Sequence, residues 1–332
     1  MNAEQRIELL QKLGDYIREN SAQWVDIKAR AGIANAWFIP QFTDRATFSI
    51  ASNYLDAFKL SQFATQYSVR DDTSSTTVGL ILAGNIPLVG FHDVLCVFLS
   101  GHQSLVKTST KDEILLKHLV GKMNEWEPEI STIIRFSDQL KSCHAYIATG
   151  SNNSSKYFDY YFNKYPHIIR RNRTSVAVLD GTESAEDLAN LSDAVNLYFG
   201  LGCRNVTKMY VPPGYDFIPL LESFNKYAYF VDHNKYRNNF DYQYAILLID
   251  HKYYMTNGSV LLAENEQIFS PISQLNYGFY TDRDQLITEL SQRQDVQCLT
   301  GNGLTPFATI QDPTLTDFAD NVDTMSFLAG LK

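Results

Sequence analysis

The sequence has no CxxC pair, no Walker phosphate-binding motif, no Gly-x-Gly-x-x-Gly and no apolar run near the ~18 residues a membrane helix needs. Each absence removes a class of protein. Cys96, Cys143, Cys203 and Cys298 lie far apart among 332 residues. That spacing excludes a disulfide framework or a zinc finger, so the thiols are expected to be reduced and the chain cytoplasmic. The Asn-x-Ser/Thr triplets at Asn153, Asn172, Asn205 and Asn257 then carry no glycosylation meaning. Seven histidines show no i, i+4 pairing beside a carboxylate, and no metal is expected. Lys and Arg number 28 against 37 Asp and Glu, a formal charge of −9, which argues against a phosphate-driven nucleic-acid partner. The most apolar stretch, 78–99, is broken by Gly84, Asn85, Pro87, His92 and Asp93, so no membrane span is expected. The first residues lack the apolar core of a secretion signal.

What is present reads as globular α/β protein. Hydrophobic residues are 45% and charged residues 20%, and the length suits two domains. Asn2 and Gln5 form a capping box ahead of Ile7, Leu10, Leu13 and Ile17, which share one helical face. Residues 78–82 are a short continuous apolar run, as in a strand buried on both faces. A helical stretch over 88–100, stopped at Gly101, and a second strand over 104–107 complete a βαβ unit and imply a parallel sheet. A helix is expected over 111–126, strands over 133–136 and 145–148, and a helix from about 153 to 165. The second half opens near Pro166. It shows a strand over 175–179, a helix capped by Ser184, a strand over 209–211, and a hairpin pairing 242–250 with 259–262 around Asn257-Gly258. A strand over 275–280 and a helix over 282–292 follow. The expected division is 1–165, 166–300 and a C-terminal segment 301–332.

Several residues are placed for chemistry. Cys203 follows Gly200-Leu-Gly202 at a helix-to-strand junction, where glycines admit a ligand or another backbone. Its thiolate would attack a carbonyl, whereas Cys96, Cys143 and Cys298 read as small buried residues. Asn85 ends a buried strand, and its amide can donate to an oxyanion or close an ordinary Asx turn. Lys107 ends the next strand on the same edge, either solvated or reaching a ribose or phosphate. Thr149-Gly150-Ser151 joins a strand to a helix N-terminus, a natural phosphate seat. Arg170, Arg171 and Arg173 form a basic cluster that is either a solvated face or a seat for a phosphate-bearing substrate.

Five motifs occur in one order: Gly84-Asn85-Ile86-Pro87, Leu105-Val106-Lys107, Thr149-Gly150-Ser151, Gly200-Leu201-Gly202-Cys203 and Gln267-Ile268-Phe269-Ser270-Pro271. With the ending over 317–328, they make roughly residues 75 to 330 similar to the aldehyde dehydrogenase superfamily, and within it to the LuxC-type acyl-CoA reductases. The resemblance implies two open α/β domains with a cofactor and substrate cleft between them, the first binding the dinucleotide and the second carrying Cys203. It implies Cys203 as nucleophile, with Asn85 and the Cys203 backbone N–H as the oxyanion hole. Lys107 would hold the adenosine ribose, Gly150 and Ser151 would sit at the pyrophosphate, and Phe269 would pack near the nicotinamide. Gln267 stands where relatives carry a glutamate for the nicotinamide ribose. Ser109 and Thr110 are hydroxyl donors where NAD-preferring relatives carry a glutamate, which points to NADPH, with NADH as the alternative. The Glu-Leu-Gly-Gly segment that activates water in aldehyde-oxidising relatives has its counterpart near 169–172, and no carboxylate stands there. The implied reaction is reduction of an acyl-CoA, or an acyl carrier protein thioester, to an aldehyde by a homo-oligomer. A reductase of an acyl phosphate or semialdehyde and a non-redox cysteine acyltransferase are the alternatives.

Overall fold

The computed structural model describes residues 1–331, the side chain of Asn152 excepted, and forms two compact units. Met1–Asn172 with Pro313–Lys332 make the first, and Arg173–Asp312 the second. Lys332, the last residue of the segment read as 301–332, lies outside the described residues.

The first unit opens with the helix Ala3–Glu19, whose capping box is formed as expected: Gln5 N–H donates to Asn2 Oδ1 and Asn2 N–H to Gln5 Oε1, both at 2.8 Å. Three further helices, Ala22–Ala34, Pro40–Asn53 and Ala57–Gln66, precede the sheet. Five strands follow: β1 (Thr77–Ile81), β2 (Gln103–Lys107), β3 (Ile134–Phe136), β4 (Ala145–Thr149) and β5 (His167–Arg170). They lie in the order β3-β2-β1-β4-β5, every pair parallel. β1 is buried along nearly its whole length, as its unbroken apolar run requires of a strand covered on both faces. The helix between β1 and β2 is Phe91–Leu99, later in starting than its apolar spacing suggests, because residues 87–90 form a turn first. Gly101 follows that helix at φ 85, a conformation that favours glycine.

One apolar core runs through this unit. It joins Leu13, Trp24 and Leu60 of the early helices to Val78 and Leu80 of β1 and to Phe318, Met325 and Leu328 near the C-terminus. Polar contacts fasten the returning segment. Arg170 is buried, pairs with Asp93, and donates through Nη2 to Thr324 Oγ1 at 2.7 Å. Tyr67 donates to Asp323 at 3.0 Å. The first unit takes in β5, which is hydrogen-bonded to β4, and its first segment ends at Asn172, a few residues beyond the expected division near 165.

The second unit is built on β6 (Thr174–Val178), β7 (Val206–Val211), β8 (Tyr254–Thr256), β9 (Leu261–Glu264), β10 (Gln274–Phe279) and β11 (Val296–Gly301). Their order is β11-β6-β7-β10-β9-β8, parallel except for the antiparallel edge strand β8. The hairpin around Asn257-Gly258 is real, but its first arm is β8 and not 242–250. Residues 242–250 fall largely in the helix Asn234–Ile249, which is capped by His233 and buries Tyr236, Phe240 and Leu247 at helical spacing. Packing of that face overrides the strand propensity of its Tyr, Ile and Leu residues. Among the described residues, no helix is long and apolar enough to cross a membrane.

Candidate active site

In the first unit the strand order reverses direction between β1 and β4. Open α/β sheets bind ligands outside the carboxyl ends of their strands at such a switch point. Asn85, Lys107, Ser109, Thr110, Gly150 and Ser151 all lie at or just beyond the carboxyl ends of β1, β2 and β4.

Asn85 is exposed in the turn that leaves β1. Gly84 is needed there, because a Cβ would stand 2.7 Å from both Cβ and Oγ of Ser109. Leu88 in the same turn has φ 56, a costly conformation for a branched side chain. The buried carboxyl of Asp112 lies beside this stretch, where the backbone N–H groups of Leu88 and Val89 favour its ionised form. Lys107, the exposed last residue of β2, pairs in register with Ile81, and its carbonyl accepts the N–H of Leu82 at 3.0 Å. Ser109 Oγ accepts the Lys111 N–H at 3.3 Å, and Thr110 is exposed.

Gly150 and Ser151 serve the helix Asn152–Phe162. Ser151 is its N-cap, with Oγ accepting the Ser154 N–H at 3.3 Å. The Gly150 N–H donates to the Arg170 carbonyl at 3.3 Å. What Gly150 contributes is therefore closeness: a Cβ would stand 2.8 Å from the Phe158 ring.

Cys203, Gln267 and Phe269 belong to the second unit. Cys203 sits in the loop that enters β7, at the amino end of that strand. The chain reaches it through Tyr198 and Phe199, both at φ 56, and Gly200 at φ 73. Left-handed residues without a glycine cost about 1–3 kcal/mol each and persist only where the surroundings enforce them. Asn205 enforces them here. Fully buried, it donates to the carbonyls of Ala194, Val195 and Leu197 at 2.9–3.3 Å and accepts the Gly202 N–H at 2.7 Å. Ser175 Oγ donates to the Cys203 carbonyl at 3.1 Å.

The Cys203 thiol is half-buried, while Cys96 and Cys143 are buried and burial pushes both of those thiols up, Cys96 well up. Cys298, expected to be buried, is also half-buried, because β11 is an edge strand. Arg204 Nη1 lies 3.3 Å from its sulfur. Gln267 is exposed, and Phe269 is half-buried against the cluster of Val176, Val178 and Leu290.

Each of the three arginines has a partner within the protein. Arg170 is consumed by Asp93, Arg171 pairs with Asp159 at 2.9 Å, and Arg173 donates to the Val296 carbonyl at 3.4 Å. Asp112 and Asn205 are the residues that sequence reading missed. Asp112 gives an immediate test. Burial holds its carboxyl well above the ordinary 3.8, against the two N–H groups that favour ionisation. The folded chain thus binds this proton more tightly than the unfolded chain, and stability is lost as pH rises past about 4. Asp112→Asn keeps an acceptor for the turn and cannot ionise. Thermal melts should show its stability relative to wild type rising from pH 4 to neutral pH, whereas Asp112→Ala should lose about 1–3 kcal/mol. A constant Asp112→Asn difference across that range would contradict the assignment.

No family model and no curated protein matches the sequence. Solved structures do match the fold. Aldehyde dehydrogenase 21 from Physcomitrella patens, in complex with the reaction product succinate, superposes at a TM-score of 0.68 with 12% identity, covering 91% of this chain and 73% of that one. An NADP-dependent enzyme of E. coli does so at 0.65 with 10% identity, over 91% and 73%. An indole-3-acetaldehyde dehydrogenase in complex with NAD+ gives 0.65 with 10% identity, over 91% and 72%. The chain has the aldehyde dehydrogenase fold.

Proposed function

We propose that this protein is an NADPH-dependent reductase of acyl thioesters in the aldehyde dehydrogenase superfamily, of the LuxC type, releasing an aldehyde. Support for a dinucleotide comes from the donor set at the switch point. The Lys107 ammonium, the hydroxyls of Ser109 and Thr110, and the helix N-terminus at Ser151 stand at one sheet edge, and they suit ribose hydroxyls and phosphates. In this reading Gln267 and Phe269 meet the nicotinamide half. No carboxylate at Thr110 opposes a 2′-phosphate, which favours NADPH over NADH.

Cys203 is the proposed nucleophile. Its thiolate attacks the thioester carbonyl, a C–S bond to Cys203 forms, the C–S bond to coenzyme A or the carrier breaks, and the departing thiolate takes a proton from solvent. Asn85 donates its amide to the oxygen that gains charge during this exchange. Bound NADPH supplies the hydride that brings the acyl group to the aldehyde level. Cys203 leaves as thiolate when the aldehyde departs.

The observation that carries reduction over oxidation is Arg170. The segment near 169–172, which by the resemblance corresponds to the water-activating segment of aldehyde-oxidising relatives, holds no carboxylate, and its Arg170 is a buried guanidinium locked to Asp93. Without that base the acyl-cysteine hydrolyses slowly and survives to be reduced. NADPH oxidation followed with acyl-CoA and with acyl phosphate, supplied separately, tests the reading. Turnover with acyl-CoA and aldehyde as product is expected. Turnover with acyl phosphate alone, or none with any acyl donor, would overturn it.

A further inference from the structure

Two polar side chains lie deep in the second unit, and neither has been given a role so far. Lys208 of β7 is 1% exposed and Asn276 of β10 is fully buried, and the two are partners in strand register. A methionine and a leucine would fill this space without the cost of burying an ammonium and an amide. Both groups point into the 265–269 segment. Lys208 Nζ donates to the Asn265 carbonyl. Asn276 Nδ2 donates to the Gln267 carbonyl at 2.9 Å and the Phe269 carbonyl at 3.1 Å. Thr207, next to Lys208, donates to the Ile268 carbonyl at 2.7 Å. The Gln267 N–H closes the arrangement on Asn265 Oδ1 at 2.9 Å, and Gln274 Nε2 orients Asn276 by donating to its Oδ1 at 2.8 Å. Gly278 makes the space, since a Cβ there would stand 2.9 Å from Lys208 Nζ.

We infer that Lys208 and Asn276 are positioning residues that set the 265–269 backbone so that Gln267 and Phe269 meet the nicotinamide half of the cofactor. This rests on the reading of 267–269 as a cofactor contact. The arrangement is built for it: a short segment with an exposed Gln267 has its carbonyls at 265, 267, 268 and 269 held from two strands beneath. The charge on Lys208 is also conditional. Burial lowers its pKa to about 8, against the upward pull of Glu264 on β9 and Glu266 in the segment itself. The Tyr210 ring lies 4.7 Å from Nζ, and its hydroxyl, raised by burial, faces Arg293 and Glu289. A neutral amine is the weaker donor to a carbonyl. The segment therefore loosens as pH rises through about 8.

The test uses the whole chain and titrates NADPH by fluorescence across pH, with thermal melts as the check on folding. Lys208→Met is expected to weaken NADPH about tenfold, the loss of one charged hydrogen bond, and to abolish the wild-type weakening above pH 8. Lys208→Gln, which restores a donor without charge, should recover most of the affinity and stay flat with pH. A folded Lys208→Met protein with wild-type NADPH affinity and the wild-type pH limb would overturn the positioning role alone. Failure of wild type to bind NADPH would instead overturn the cofactor reading beneath it. Should Lys208→Met not fold, Asn276→Ser decides, because it withdraws the donor to Gln267 and Phe269: a folded variant with unchanged NADPH affinity overturns the proposal, and weakened binding supports it.

Discussion

Cys203→Ala is expected to lower acyl-CoA turnover by about four decades or more while leaving the melting temperature near that of wild type. The two halves of that expectation come from different atoms. Chemistry depends on the sulfur, which no other atom of the loop can replace. The loop's shape depends on Asn205, whose amide grips the carbonyls of Ala194, Val195 and Leu197 and the N–H of Gly202. None of those contacts involves the Cys203 side chain, and Ser175 reaches only its backbone carbonyl. The complementary variant, Asn205→Ala, would leave the sulfur and release the left-handed turn at Tyr198 and Phe199. Turnover surviving in Cys203→Ala would move the nucleophile elsewhere, with the half-buried Cys298 beside Arg204 as the first place to look.

Asn85→Ala is expected to lower turnover by about 10²–10³-fold, the usual value of one preorganised oxyanion donor, with NADPH affinity changed little. The separation of the two effects is the informative part. The turn carrying Asn85 is packed through its neighbours, with Gly84 against Ser109 and the buried Asp112 beside Leu88 and Val89. Lys107 and Ser109 belong to the following strand and its exit, so truncating the exposed amide is expected to remove a donor and leave them in place. A parallel loss of NADPH affinity would make Asn85 a cofactor contact, and unchanged turnover would take it out of the mechanism.

Much of the fold was legible where one physical cause dominates. The apolar run of β1, the capping boxes at Asn2 and Ser184, and the Asn257-Gly258 turn all declare themselves in a few consecutive residues. Strands β1 to β4 of the first sheet could be read from short apolar runs, whereas β5 falls where the sequence suggests a second half opening near Pro166. The helix Asn234–Ile249 was misread because its buried face is only Tyr236, Phe240 and Leu247, while Tyr242 and Ile249 remain exposed and dilute the helical period. At the candidate site, the residues proposed for chemistry are proposed from their motifs. Those that hold them have none. Asp112, Asn205, Lys208 and Asn276 act on backbone groups up to dozens of residues away, and no local pattern marks a buried polar side chain whose partner is a distant carbonyl. Arg170 misled for the same reason: Asp93, which neutralises it, lies far back in the sequence. At Gly150 the structure gives glycine a reason of its own, since its N–H is spent on the Arg170 carbonyl and its missing side chain admits Phe158.

The most direct measurement is intact-mass analysis and peptide mapping of the protein after incubation with an acyl-CoA in the absence of nicotinamide cofactor. One acyl group on the Cys203 peptide, stable in buffer and released as aldehyde on adding NADPH, is the expected result. An acyl group on any other residue, or its release as the free acid without NADPH, would contradict the account.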